Sequence, residues 1–147
     1  MAIIITGTPG TGKSTLAAQL SEETGATVVN ITAILKQRKL DGEWDAKRNC
    51  FLVDVDKLML ILQDLAESDP EIIIDGHLSH YLPPEYVTES YVTKCDLPEL
   101  KQRLEARGYD EEKVRENLDC EIFDVCHTEA TEFGHDPEVV WTSNEKR

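Results

Sequence analysis

The sequence is poor in basic residues. It has 15 Lys and Arg against 29 Asp and Glu among 147 residues, which gives a net charge of −14. Proteins that bind nucleic acid without sequence preference neutralise its phosphates with Lys and Arg. The composition therefore excludes direct, non-specific nucleic-acid binding, whereas a basic partner would complement it.

Long apolar runs are also missing. The longest, at residues 1–5 and 58–62, are far shorter than the ~20 residues of a membrane-spanning helix. A glycine-rich turn follows the first run directly, unlike a secretory signal. We therefore expect no membrane partner and a cytoplasmic location. The cysteines do not have metal-ligand spacing, which favours reduced cytosolic thiols; they are Cys50, Cys95, Cys120 and Cys126.

Short apolar runs alternate with helical patterns along the chain. The runs predict strands at 2–6, 26–29, 71–75, 90–95 and 138–141, and the helical patterns lie at 14–23, 54–67, 100–107 and, as one long helix, 111–133. Strands that alternate with helices predict an α/β fold with a parallel sheet covered on both faces. The length is that of one domain.

Residues 7–14 carry the most specific motif. They read Gly-Thr-Pro-Gly-Thr-Gly-Lys-Ser and lie between a predicted strand and a predicted helix, as a phosphate-binding loop (P-loop) does. Glycines let backbone N–H groups converge on phosphate oxygens, and the helix directs its positive end at the anion. Lys13 should reach the β- and γ-phosphates, and the Ser14 hydroxyl should bind Mg²⁺. The motif predicts a nucleoside triphosphate site.

An acidic residue follows the third predicted strand. P-loop enzymes hold the magnesium shell with such a residue, and Asp75 comes directly after Ile-Ile-Ile at 72–74. The alternative for Asp75 is a turn residue before Gly76. His77 would lie at the same rim, as either a functional or a surface histidine. We expect no role for three further histidines, His80, His127 and His135.

Two classes of P-loop protein remain to be separated. The chain has neither the Asn-Lys-x-Asp nor the Asp-x-x-Gly motif of a regulatory GTPase. A kinase needs an acceptor pocket and a basic lid. The candidate acceptor pocket is residues 30–53, with a predicted helix at 31–39 and a polar loop at 41–45. The candidate lid is residues 103–115. Arginine suits a lid because its planar fork binds phosphoryl oxygens. Arg107 is the candidate, whereas Arg103 is interpreted as a solvated helix residue paired with glutamates.

Three blocks carry a family resemblance. Residues 105–109 (Glu-Ala-Arg-Gly-Tyr), 117–123 (Asn-Leu-Asp-Cys-Glu-Ile-Phe) and 129–130 (Glu-Ala) resemble the adenylate kinase isoenzyme 6 family, also called the coilin-interacting nuclear ATPase proteins, in its archaeal form. The similarity covers nearly the whole chain. It implies a single P-loop NTPase domain over 1–147, with three layers and a five-stranded parallel sheet. It also implies a short nucleoside-monophosphate-binding region at about 30–53 and a short lid at about 106–116.

The resemblance also implies activity and site residues. It implies a broad nucleoside monophosphate kinase that prefers AMP, a weaker ATPase, and a role in small ribosomal subunit maturation. The family's catalytic aspartate and histidine correspond to Asp75 and His77. Its lysine in the loop after the last strand, near the adenine, corresponds to Glu145. Its nucleotide contacts correspond to Gly10, Gly12, Lys13, Ser14, Thr15 and Arg107.

These observations give one leading hypothesis, the reaction ATP + AMP ⇌ 2 ADP. Lys13 and Arg107 would stabilise the transferring group, and Mg²⁺ would lie between Ser14 and, through water, Asp75. The alternative is an ATP-hydrolysing ribosome assembly factor, whose acidic body would bind a basic platform protein of the small subunit. The charge would otherwise serve solubility alone. A nucleotide-binding module without chemistry fits the intact motif poorly.

Overall fold

The computed structural model describes residues 1–38, 41–45 and 50–143, an α/β domain. The strands of its main sheet are β1 (Ala2–Gly7), β2 (Thr27–Asn30), β5 (Ile72–Asp75), β6 (Val87–Lys94) and β7 (Glu138–Trp141), and a hairpin is formed by β3 (Asp41–Asp45) and β4 (Cys50–Val53). The helices are α1 (Lys13–Thr24), α2 (Ile31–Gln37), α3 (Val55–Ser68), α4 (Leu97–Ala106), α5 (Glu111–Ile122) and α6 (Val125–Glu132).

The main sheet is parallel and has the strand order β2-β5-β1-β6-β7. Successive side chains of a strand point to opposite faces, and both faces of β1 and β5 are covered. Ile4 and Ile74 pack with Leu58 and Leu62 of α3, whereas Ile5 and Ile73 pack with α1. The predicted three-layer P-loop fold with a five-stranded parallel sheet is confirmed.

The topology brings the ends of β1 and β5 together at one edge of the sheet. These strands are paired in the centre of the sheet, with Ile5 opposite Asp75. The chain leaves β1 towards one side to form β2, and later crosses β1 to form β6. Ligands of open α/β sheets bind at the carboxyl ends of strands where the order switches in this way.

Two expectations from the sequence are wrong. Residues 41–45, expected as a polar loop, form β3, which pairs with β4 in antiparallel fashion. The long helix expected at 111–133 is interrupted between α5 and α6, where Asp124 has a left-handed φ of 54°. The Asp124 carboxylate forms an ion pair with Lys94 at the end of β6. Because this contact is made by the fold and not by neighbours in sequence, helical periodicity could not show the break.

None of the helices in the described ranges is both long and apolar enough to span a bilayer.

Candidate nucleotide site

The P-loop joins β1 to α1 in a tight turn. Its conformation requires glycine where it passes closest to β6: a Cβ on Gly7 would lie 2.3 Å from Thr93 Oγ1 and 2.9 Å from the Thr93 carbonyl oxygen. Thr11 Oγ1 lies 2.7 Å from Thr93 Oγ1 and donates to the Thr8 carbonyl at 2.6 Å. The loop is therefore fixed to β6, with the N-terminus of α1 directed at the space that it encloses.

Lys13 is the first residue of α1, and its side chain folds back over the loop. Its Nζ donates to the Gly7 carbonyl oxygen at 2.9 Å. Burial lowers the pKa of Lys13, while the nearby carboxylate of Asp75 acts in the opposite direction. The backbone thus holds the amine at the mouth of the loop, where the sequence predicts a phosphate contact.

Asp75 lies at the end of β5 and is 2% exposed. Its Oδ2 accepts hydrogen bonds from Ser14 Oγ at 2.9 Å and Asn30 Nδ2 at 3.5 Å. Its other oxygen, Oδ1, is buried and accepts no hydrogen bond from any residue that the structure describes. Buried polar atoms nearly always have a partner, so the unpartnered Oδ1 marks a place where a bound water or a water of a metal shell would fit.

The oxygen atoms of Ser14 and Asp75 suit Mg²⁺ as ligands. No group of three or more His, Cys, Asp or Glu side chains in the described part of the chain could hold a metal ion. Mg²⁺ in nucleotide sites commonly has one or two protein ligands and takes the remainder from phosphates and water. A hydroxyl and a carboxylate 2.9 Å apart, Ser14 and Asp75, fit that pattern.

His77 lies two residues beyond Asp75, at the same edge of the sheet. Its carbonyl oxygen accepts a hydrogen bond from Thr6 Oγ1 at 3.2 Å, and its side chain is at the surface. Desolvation by the protein around the ring, with the positive charge of Lys13 as the next cause, lowers the pKa of His77 to about 4. The imidazole is therefore neutral at pH 7.

Two histidines for which we expected no role lie in the interior. His80 is 2% exposed and His135 is 6% exposed. His135 Nε2 lies 2.9 Å from the His80 carbonyl oxygen, so that the segment after α6 is attached to the turn after β5. This hydrogen bond joins residues 55 positions apart in the sequence, a relationship that no local pattern indicates.

A cleft of about 550 Å³ opens beside the P-loop. Arg103 is one of its walls, and the expectation that this side chain is solvated is wrong. Its guanidinium donates to the Gly10 carbonyl at 3.2 Å and to the Thr142 carbonyl at 2.7 Å. The expected pairing with a glutamate, Glu99, is present. Other lining residues are Gly12, Thr15, Leu16, Gln19, Ala106, Arg107, Val140 and Trp141.

Arg107 ends α4 and lines the same cleft, directly before Gly108, whose φ is +81°. The segment 106–116 spans this turn and the start of α5, and its action as a lid stays a prediction. The acceptor region at 30–53 contains α2 and the hairpin, and part of it lies outside the described residues. Glu145, expected near the adenine, also lies outside them.

Comparison with known proteins gives matches over most of the chain. A family model described as "AAA domain", AAA_18, matches residues 3–124. The chain is 42% identical over 130 residues to a protein of Methanocaldococcus jannaschii named "Putative adenylate kinase", covering 88% of this chain and 72% of that protein. It is 37% identical, with the same coverage, to an "Adenylate kinase isoenzyme 6 homolog" of Caenorhabditis elegans.

A similarity to solved structures supports the fold. The crystal structure of shikimate kinase from Bacteroides thetaiotaomicron superposes with a TM-score of 0.63 at 15% identity, covering 97% of this chain and 85% of that one. At this identity the similarity concerns the fold alone.

Proposed function

The chain belongs to the family of archaeal adenylate kinases and adenylate kinase isoenzyme 6 homologues, and we propose that it is a nucleoside monophosphate kinase that catalyses ATP + AMP ⇌ 2 ADP. The observation that carries the proposal is the pair formed by Ser14 and Asp75 beside the P-loop, with a buried carboxylate oxygen left free. A Mg²⁺ ion with its water shell would give this oxygen the partner whose absence otherwise costs folding free energy.

The P-loop would bind the phosphates of ATP through its backbone N–H groups and the N-terminus of α1. Gly10, Gly12 and Thr15 lie along the path that the nucleotide would take between the loop and the cleft. Lys13 would neutralise charge on the transferring group, and Arg107, on the wall of the cleft, would approach the same group when the segment at 106–116 closes.

Mg²⁺ bound with ATP would supply charge neutralisation between the phosphates. Ser14 would hold it directly and Asp75 through water. The protein's own contribution is alignment, because phosphoryl transfer needs the donor and the acceptor in line and requires little covalent chemistry.

His77 is the third element of the proposed catalytic rim. As a neutral imidazole at pH 7, it can hydrogen-bond to a phosphate or to an acceptor group without adding a positive charge. AMP, or another nucleoside monophosphate, would bind over the region at 30–53, which begins at Asn30, beside Asp75. This arrangement favours an acceptor that approaches from the β2 side of the sheet.

The test is ATP turnover by the purified protein with Mg²⁺, with and without AMP, in an assay that resolves ADP from free phosphate. The proposal expects AMP-dependent formation of ADP with little phosphate. Ser14→Ala should lower AMP-dependent turnover and raise the Mg²⁺ concentration that it requires, whereas Ser68→Ala, which removes an exposed hydroxyl at the end of α3, should not. Phosphate release at a rate unaffected by AMP would contradict the kinase proposal.

That second result would favour an ATPase that acts in maturation of the small ribosomal subunit. The net charge of −14 favours this alternative, since an acidic surface attracts a basic ribosomal protein and accelerates the encounter. Asp75 and His77 would then orient a water molecule, and the protein would act in the cytoplasm on an rRNA-processing complex. A pull-down with a basic platform protein should succeed at low salt and fail at high salt. Absence of binding at low salt would remove the argument from charge.

A further inference from the structure

We propose that His80 is a positioning residue for His77: its imidazole connects the turn after β5 to α6 and thereby fixes the backbone that carries His77. The proposal depends on the proposed function only where turnover is the readout.

The first observation is the hydrogen bonding around the His77 carbonyl. This oxygen accepts from Thr6 Oγ1 at 3.2 Å, and His80 Nδ1 lies 3.1 Å from it. A carbonyl oxygen can only accept, so the His80 tautomer that makes this bond carries its proton on Nδ1. One contact comes from β1 and the other from within the turn, and together they fix the peptide unit that follows His77.

The second observation is the other side of the His80 ring, which faces α6 and the segment after it. The His80 carbonyl oxygen lies 2.9 Å from His135 Nε2. In the tautomer with the proton on Nδ1, the ring's Nε2 carries a lone pair; it faces Glu129 Oε2 at 3.4 Å without donating to it. The ring centroid lies 4.3 Å from that of Tyr81 and 6.2 Å from that of Phe133. The imidazole is thus enclosed by groups from two parts of the chain about 50 residues apart.

The contacts give a structural role to residues 129–130, which take no part in the proposed kinase chemistry. Glu129 and Ala130 belong to the distinctive residues after the candidate lid. Ala130 is fully buried, and its carbonyl oxygen accepts a hydrogen bond at 3.0 Å from the backbone N–H of His135, the residue that contacts His80. The contacts with α6 and the segment after it fix His80, and His80 fixes the peptide unit after His77. The position of the His77 imidazole at the catalytic rim therefore depends on α6. Displacement of a reacting group by about 1 Å can reduce a rate by about 100-fold.

Two variants separate the nitrogens of the ring. His80→Asn places an amide nitrogen near the position of Nδ1 and can restore the bond to the His77 carbonyl. His80→Gln retains more volume and places its amide nearer the position of Nε2, towards Glu129. His127→Asn, at a half-buried position of α6 beside Asp124, is the matched control.

The readouts are kcat and KM for AMP-dependent ADP formation, thermal unfolding, and the NMR chemical shift of the Leu78 backbone amide, which reports on the peptide unit after His77. Positioning through Nδ1 predicts that His80→Gln lowers kcat by about tenfold with KM for ATP within about twofold, since the P-loop is unchanged. It predicts that His80→Asn recovers most of that loss. The Leu78 amide shift should move in His80→Gln and stay near the wild-type value in His80→Asn.

Equal kcat in both variants and the wild type would overturn the proposal, as would equal losses in both with an unchanged Leu78 amide shift. A wild-type protein without AMP-dependent turnover would instead contradict the proposed function. In that case the Leu78 amide shift alone decides: a shift insensitive to both His80 variants refutes positioning, and a change in His80→Gln alone supports it.

Discussion

Replacing Lys13 by Met tests the phosphate site directly. Met has a similar length and volume, so the exchange removes the ammonium group and little else. At a separation of about 4 Å and an effective dielectric constant of about 20, a unit charge contributes about 4 kcal/mol. Loss of that stabilisation from the transition state corresponds to about a 1,000-fold fall in kcat/KM for ATP.

The same exchange should change stability little. It removes the hydrogen bond from Nζ to the Gly7 carbonyl, which contributes about 1 kcal/mol. It also removes an ammonium group whose pKa is lowered by burial, and relief of that desolvation offsets the loss. For a domain of this size we expect Tm to change by no more than about 4 °C.

The assay is steady-state ADP formation at saturating AMP, with differential scanning calorimetry on the same preparation. Lys57→Met, at an exposed position near the start of α3, is the control for loss of one positive charge. Retention of more than about a tenth of the wild-type kcat/KM by a folded Lys13→Met would refute the reasoning, because the charge would then contribute less than about 1.4 kcal/mol, about a third of the expected amount.

Three further predictions follow from the site. Asp75→Asn should reduce Mg²⁺-dependent turnover by about 100-fold or more and raise the Mg²⁺ concentration required, whereas Asp64→Asn on the exposed face of α3 should match the wild type. If Asp75→Asn and the wild type showed the same dependence on Mg²⁺ concentration, Asp75 would not belong to the Mg²⁺ site. Arg103→Met should lower both Tm and ATP affinity, because the Arg103 guanidinium donates hydrogen bonds to the Gly10 and Thr142 carbonyls. Arg107→Met should lower kcat and leave Tm unchanged. A larger fall in Tm for Arg107→Met than for Arg103→Met would contradict these two roles. The pKa of His77 is about 4 in the folded protein, below the value of about 6.5 in the unfolded chain. Between these two pH values the unfolded chain binds more protons, so the free energy of unfolding should fall as the pH decreases from about 6.5 to about 4. A His77 titration midpoint of about 6.5 in the folded protein would exclude this contribution.

Local patterns were enough to predict most of the fold. The run Ile-Ile-Ile before Asp75 predicts a strand covered on both faces, and β5 is buried throughout. The P-loop motif fixes a strand, a tight turn and a helix in order, because its glycines and the helix N-terminus are parts of one local geometry. That geometry also places Lys13 and Ser14 on consecutive positions at the start of α1.

The same patterns failed where a contact joins distant parts of the chain. The break before α6 lies at Asp124, whose carboxylate is paired with Lys94, 30 residues away. Residues 41–45 resemble a loop in composition, yet pair with β4 across a short connection. In both cases the partner, and not the segment's own periodicity, decides the conformation.

The candidate site divides in the same way. The sequence by itself determined the P-loop and the acidic residue at the end of β5, because each is encoded in a contiguous stretch with a fixed chemical purpose. Only the tertiary structure decided that Arg103 holds the loop through Gly10, 93 positions away, and that His80 lies between His77 and α6. Such contacts depend on the order of strands in the sheet and on how helices pack across it, and those long-range arrangements leave no periodic signal in the residues that they bring together.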